Sequence, residues 1–75
     1  MDYKNLIVRN PDILMGKPTI KGTRISVELI MRKLAGGFTV DELLLSYPFL
    51  THEHLNAAFQ FAAELIANEE TIEVV

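Results

Sequence analysis

A chain of 75 residues with 49% apolar content is one small domain, near the lower limit at which packing alone sustains a core. The absence of cysteine excludes a disulfide framework and thiolate metal sites, and two histidines do not complete a structural zinc site by themselves. The apolar runs fall far short of the roughly 18 residues of a membrane span, and MDYKN has no basic start leading into an apolar stretch. A soluble, cytoplasmic protein with no membrane partner is therefore expected.

The net charge of −3 conceals a polarity along the chain. All seven basic residues (Lys4, Arg9, Lys17, Lys21, Arg24, Arg32, Lys33) precede Gly37 against three acids, so that half carries +4. Residues 38–75 hold seven acids and no Lys or Arg. Such asymmetry points to an anionic partner at the front and a basic one at the back, the alternative being charges that merely solvate helix surfaces.

In chain order, Leu6-Ile7-Val8 reads as a short strand and Asn10-Pro11-Asp12 as the turn that follows it. Thr19-Ile20 and Thr23-Arg24-Ile25 flank Lys21-Gly22, which reads as a tight hairpin or bent ribbon with Lys21 at its tip. Gly16-Lys17 beside small hydroxyl residues evokes a phosphate loop. That motif needs a glycine five residues earlier and a Ser or Thr after the lysine, where this chain has Pro11 and Pro18. A basic ribbon fits the stretch better than a phosphate cradle.

Ser26 is placed to cap a first helix whose apolar stripe is Val27, Ile30, Met31 and Leu34, with Glu28 and Arg32 paired at i, i+4 outside and Gly36-Gly37 as the stop. Thr39-Val-Asp-Glu42 is a capping box for a second, short helix that ends before Tyr47-Pro48. Thr51 caps the third and longest helix, with Leu55, Ala58, Phe59, Ala62 and Ile66 as its core stripe. Ala57, Phe61 and Leu65 widen that stripe, as a dimer seam or as additional core. The tail Glu69-Glu70-Thr71-Ile72-Glu73-Val74-Val75 alternates acidic and apolar residues, which fits a frayed end, an added strand or a docking segment. The domain map is thus residues 1–25 as ribbon and basic front, 26–68 as three-helix core and 69–75 as acidic tail, within a single domain.

Three helices with breaks at Gly36-Gly37 and at Tyr47-Pro48-Phe49-Leu50 outline a helix-turn-helix unit whose third helix would be the reader of DNA. Its exposed opening (Thr51, His52, Glu53, His54, Asn56) holds no cation. Asn56 suits an adenine edge and His52 a phosphate, while the electrostatic contacts fall to Lys17, Lys21, Arg24, Arg32 and Lys33, with Arg9 as a further candidate. His52 and His54 are two apart, a poor spacing for a metal pair on a helix. Neither a nucleophile-base set nor a carboxylate pair free of capping duty stands out, so no enzyme, metal or cofactor is expected.

Gly16-Lys-Pro-Thr-Ile-Lys-Gly-Thr-Arg-Ile25, with Val27, Ala35-Gly36-Gly37, Tyr47-Pro48, Leu50-Thr51 and Ala57-Ala58, resembles the domain-of-unknown-function 433 family. Met15 and Ser26 depart from the glycine and proline common there. The resemblance implies a prokaryotic protein, mainly α with a small N-terminal β element: a homeodomain-like helix-turn-helix core behind a short β ribbon. It also implies a likeness to VapB-type antitoxins of type II toxin-antitoxin pairs, encoded beside a PIN-like ribonuclease toxin. On that reading a homodimer offers its basic front to operator DNA. Its interface for a second copy or the toxin is drawn from Ala57, Phe61, Leu65, Glu69, Glu70 and Ile72. The alternative is a protein-interaction module that never touches DNA.

Overall fold

Ile7 and Ile20 face each other across an antiparallel pair of strands, β1 (Ile7–Arg9) and β2 (Pro18–Ile20), and both are buried. β-Branched residues at a paired, half-covered position are what a two-stranded ribbon needs in order to seal one face. The computed structural model describes residues 3–68. Behind the ribbon stand three helices, α1 (Val27–Ala35), α2 (Val40–Ser46) and α3 (His52–Ala67), giving the expected mainly α architecture with a small N-terminal sheet.

The helix ends follow the local chemistry. Ser26 Oγ accepts the Leu29 N–H at 2.9 Å to start α1. The helix closes in a Schellman arrangement: the Phe38 N–H donates to the Lys33 carbonyl and the Gly37 N–H to the Leu34 carbonyl, with Gly37 at φ 106°. Thr39 and Glu42 form the reciprocal capping box of α2. At α3 the box takes a different form: Thr51 Oγ1 accepts from the His54 N–H, and His54 Nδ1 accepts from the Thr51 N–H at 3.1 Å.

The core joins Ile7, Ile20, Ile25, Val27, Ile30, Leu43, Leu50, Leu55, Ala57 and Ala58, so every element contributes. Two expectations for α3 change here. Ala57, assigned to a partner interface, is 0% exposed and belongs to the core, whereas Ile66, assigned to the core stripe, is 72% exposed. The physical reason is that, among the described residues, the ribbon, α1 and the N-terminal turn at Tyr3 cover α3 only as far as Phe61 and Ala62, and no described element faces Ile66. The main ladder of the sheet joins the two strands that the sequence separates, not the two sides of the Lys21-Gly22 reversal. β2 takes β1 as its ladder partner, while the segment after Lys21-Gly22 returns antiparallel to β2 as a short bent ribbon, through the Thr19–Ser26 bridge and the Ile20 N–H on the Ile25 carbonyl, without a strand of its own.

Between the strands, Leu14, Met15 and Gly16 lie consecutively in the left-handed region, with φ of 50°, 58° and 84°. This turn is closed by the Gly16 N–H on the Ile13 carbonyl and the Lys17 N–H on the Leu14 carbonyl. A side chain at positive φ costs about 1–2 kcal/mol. Met15 is 94% exposed, so its side chain recovers almost none of that by burial. Met15→Gly is accordingly expected to raise stability by up to about 1 kcal/mol, the released strain less the added chain entropy, while Met15→Ala leaves it nearly unchanged. Urea denaturation of the two variants beside the parent chain checks this.

Candidate nucleic-acid interface and an apolar groove

The turn that joins β2 to α1 is organised by one hydroxyl. Thr23 Oγ1 donates to the Ile20 carbonyl at 2.8 Å and accepts from the Ile25 N–H at 3.0 Å, while the Ile20 N–H reaches the Ile25 carbonyl at 2.9 Å. Gly22 supplies the positive φ of 80° that the reversal requires, and the Lys21 N–H ties the turn to the Leu6 carbonyl at 2.8 Å. The consequence is that Lys21 and Arg24 are held exposed on either side of a pinned backbone.

Lys21, Gly22, Thr23, Arg24 and Ile25 form one wall of an open groove whose other wall is Tyr47, Phe49 and His54. The basic turn therefore lies against the α2–α3 connection and the first turn of α3. Tyr47 and Phe49 meet edge to face at 6.3 Å between ring centres, and Phe49 stays more than half exposed. A wall of cations facing an exposed aromatic and an imidazole has the composition of a surface for a phosphate backbone with stacking to its side. His52 and Asn56 are exposed on α3 at i, i+4 spacing, hence on one face of its opening.

The remaining expected cations are engaged locally. Lys17 Nζ and Arg32 Nε both bond Glu28, each at 2.9 Å. Arg9 stacks over Phe61 at 5.6 Å and Lys33 over Phe38 at 4.8 Å. Among the described residues Lys21 and Arg24 form no ion pair, so of the cations whose side chains are described these two make one concentrated site. Among the same residues no group of three or more His, Asp or Glu is arranged to hold a metal ion, and no helix is long and apolar enough to cross a membrane.

A second concavity, about 280 Å³, lies between α1 and the C-terminal half of α3. Val27, Met31, Phe61, Ala62, Leu65 and Ile66 line it, with Lys17, Pro18 and Glu28 alongside. Phe61 and Leu65, expected at a partner interface, thus share one apolar groove; Glu69, Glu70 and Ile72 lie outside the described residues. Sequence reasoning missed Thr23, Phe49 and the capping role of His54. The first carried a signal, since a threonine just after a Lys-Gly break is a side-chain turn former. The last did not, because a capping box is ordinarily read from Glu or Gln at that position.

Two outcomes follow from these contacts. Thr23→Val keeps the side-chain shape but deletes both hydroxyl bonds, and should cost roughly 1–3 kcal/mol in urea denaturation. Hydrogen bonds from Lys17 and Arg32 hold the Glu28 carboxyl below its ordinary value of 4.5. A lowered folded-state value means that this contribution is fully present above about pH 4.5 and is lost as pH falls through the lowered one. Glu28→Gln should therefore flatten the acid limb of a thermal-stability profile below that pH while changing little at neutrality, as expected of a solvent-exposed cluster.

Comparison with known proteins follows the same residues. The family described as "Protein of unknown function (DUF433)" matches residues 7–62. A Sinorhizobium fredii (strain NBRC 101917 / NGR234) protein named uncharacterized protein y4eO is 32% identical over 59 residues, covering 79% of this chain and 27% of its own length. The present chain thus spans about a quarter of that relative. The crystal structure of a DUF433 member from Anabaena variabilis ATCC 29413 superposes with a TM-score of 0.81 at 33% identity, over 85% of this chain and 63% of the other. The match begins at the first strand and ends in α3 beyond the turn that carries Lys21 and Arg24, so it takes in both walls of the basic groove: the chain belongs to the DUF433 family.

Proposed function

We propose that this protein is a DNA-binding antitoxin that represses its own operator and neutralises a nuclease-like toxin of PIN type. The observation that carries the reading is the groove that joins Lys21 and Arg24 to the α2–α3 turn and the start of α3. In a helix-turn-helix protein that is the edge which lies along a phosphate backbone while the third helix enters the major groove. Phosphate contacts then come from Lys21 and Arg24, and base contacts from His52 and Asn56. The acidic rear half serves a basic toxin, with Phe61 and Leu65 as the apolar part of that contact or of a homodimer seam.

A gel shift on the gene's own upstream region, at two or more salt concentrations, tests the DNA half. Lys21→Ala with Arg24→Ala should weaken binding for all sequences and lower the salt slope by about one for each phosphate contact removed. Lys17→Ala should do much less, because Glu28 already neutralises that ammonium. Unchanged affinity and slope in the Lys21/Arg24 variant would overturn the proposal.

A second reading, an interaction module that does not bind DNA, is favoured by one feature: α3 carries no Lys or Arg along its whole length. It predicts no shift at any salt for the parent chain.

A further inference from the structure

We infer that His54 is a third ligand for phosphate in the basic groove, donating a neutral hydrogen bond from Nε2–H beside the cations Lys21 and Arg24, while its other nitrogen caps α3 without bringing in a carboxylate. This rests on the reading of the groove as a phosphate contact. α2 and α3 open with the same reciprocal capping box, Thr39 with Glu42 and Thr51 with His54. Glutamate or glutamine is the ordinary residue at the third position of such a box. Of the two boxes, the one that borders the groove is the one built with imidazole.

The cap fixes the tautomer of that ring. The Thr51 N–H donates to His54 Nδ1 at 3.1 Å, and the Thr51 hydroxyl, 3.3 Å from the same atom, is placed to donate there as well. Nδ1 must then offer a lone pair, so the proton of the neutral ring resides on Nε2. Among the described residues Nε2 has no hydrogen-bond partner. The ring therefore brings to the groove wall an unused donor, held in place by the helix cap.

Charge explains why imidazole serves where glutamate would cap equally well. None of the residues that line the groove is a carboxylate. What a carboxylate does to neighbouring cations is visible at Glu28, which engages both Lys17 and Arg32 at 2.9 Å. A glutamate at position 54 would line the groove with Lys21 and Arg24 and compete with an incoming anion for them. Imidazole satisfies the Thr51 N–H without that charge. Lys21, Arg24 and His54 then present only donors, a set that suits the acceptor oxygens of phosphate, whether in a nucleic-acid backbone or as the free ion.

The test uses the full chain labelled with nitrogen-15 and two probes, a duplex from the gene's upstream region and inorganic phosphate alone. The ring spectrum should show His54 bare at Nδ1 and protonated at Nε2, and the duplex should shift Nε2 together with the Lys21 and Arg24 side chains. His54→Gln and His54→Glu both retain a capping side chain, so thermal melts should show α3 folded in each. The probe that binds the parent should bind the Glu variant about ten-fold or more weakly than the Gln variant, which can still donate through its amide. Equal affinity of the two variants would overturn the inference, since a role in capping alone treats them alike. A duplex that moves Lys21 and Arg24 but leaves His54 Nε2 in place also overturns it, while the DNA-binding reading stands. Phosphate that moves all three residues where the duplex moves none upholds the inference and overturns that reading. If neither probe moves Nε2, the inference fails.

Discussion

The hydroxyl of Thr23 is the contact on which the arrangement of the front half rests. Ile20 and Ile25 are both buried, and the chain must reverse between them within four residues without leaving backbone groups unpaired in the core. A side chain that donates to one carbonyl and accepts one N–H does what a longer ladder would otherwise do. With the reversal fixed, Ser26 arrives at the start of α1 in extended conformation, with its hydroxyl placed to cap the helix. Lys21 and Arg24 are carried outward by the same geometry. The motif is thus first a folding device, and its cations are displayed because the backbone beneath them is pinned.

Charge in this protein is local rather than regional. A count along the chain makes the first half uniformly basic, yet four of its cations are committed to neighbours: two to Glu28 and two to the faces of Phe61 and Phe38. Each engagement is individually weak at an exposed position, but each removes a cation from the field that a distant anion would experience. Of the cations whose side chains are described, the other two, Lys21 and Arg24, stand together where the β2–α1 turn meets the α2–α3 connection. A site with two cations that form no ion pair among the described residues, beside an exposed aromatic, is a more definite object than a basic surface.

The third helix serves both ends of the molecule. Its first turn borders the basic groove through His54, and its last turns border the apolar one through Phe61, Leu65 and Ile66. Between them Leu55, Ala57 and Ala58 anchor it in the core, and the two alanines let the helix approach the ribbon and α1 closely. The two grooves therefore border opposite ends of one sixteen-residue helix.

Much of this was legible in the residues. The stripe Val27, Ile30, Met31 and Leu34, the caps at Ser26, Thr39 and Thr51, and the stops at Gly36-Gly37 and Tyr47-Pro48 located all three helices, because periodicity, capping and turn chemistry act within about four residues. Exposure of Lys21 on a glycine turn followed from the same short-range rules. The ladder partner of β2, the burial of Ala57 and exposure of Ile66, the Lys17–Glu28 bond and the shared groove of Arg24, Phe49 and His54 did not, since each depends on residues far apart in the chain. Sequence alone determined the elements, their ends and the motif that displays two cations. Tertiary structure decided which strand faces which, which half of α3 is covered and which cations stay free, because those depend on where separate elements come to rest against one another.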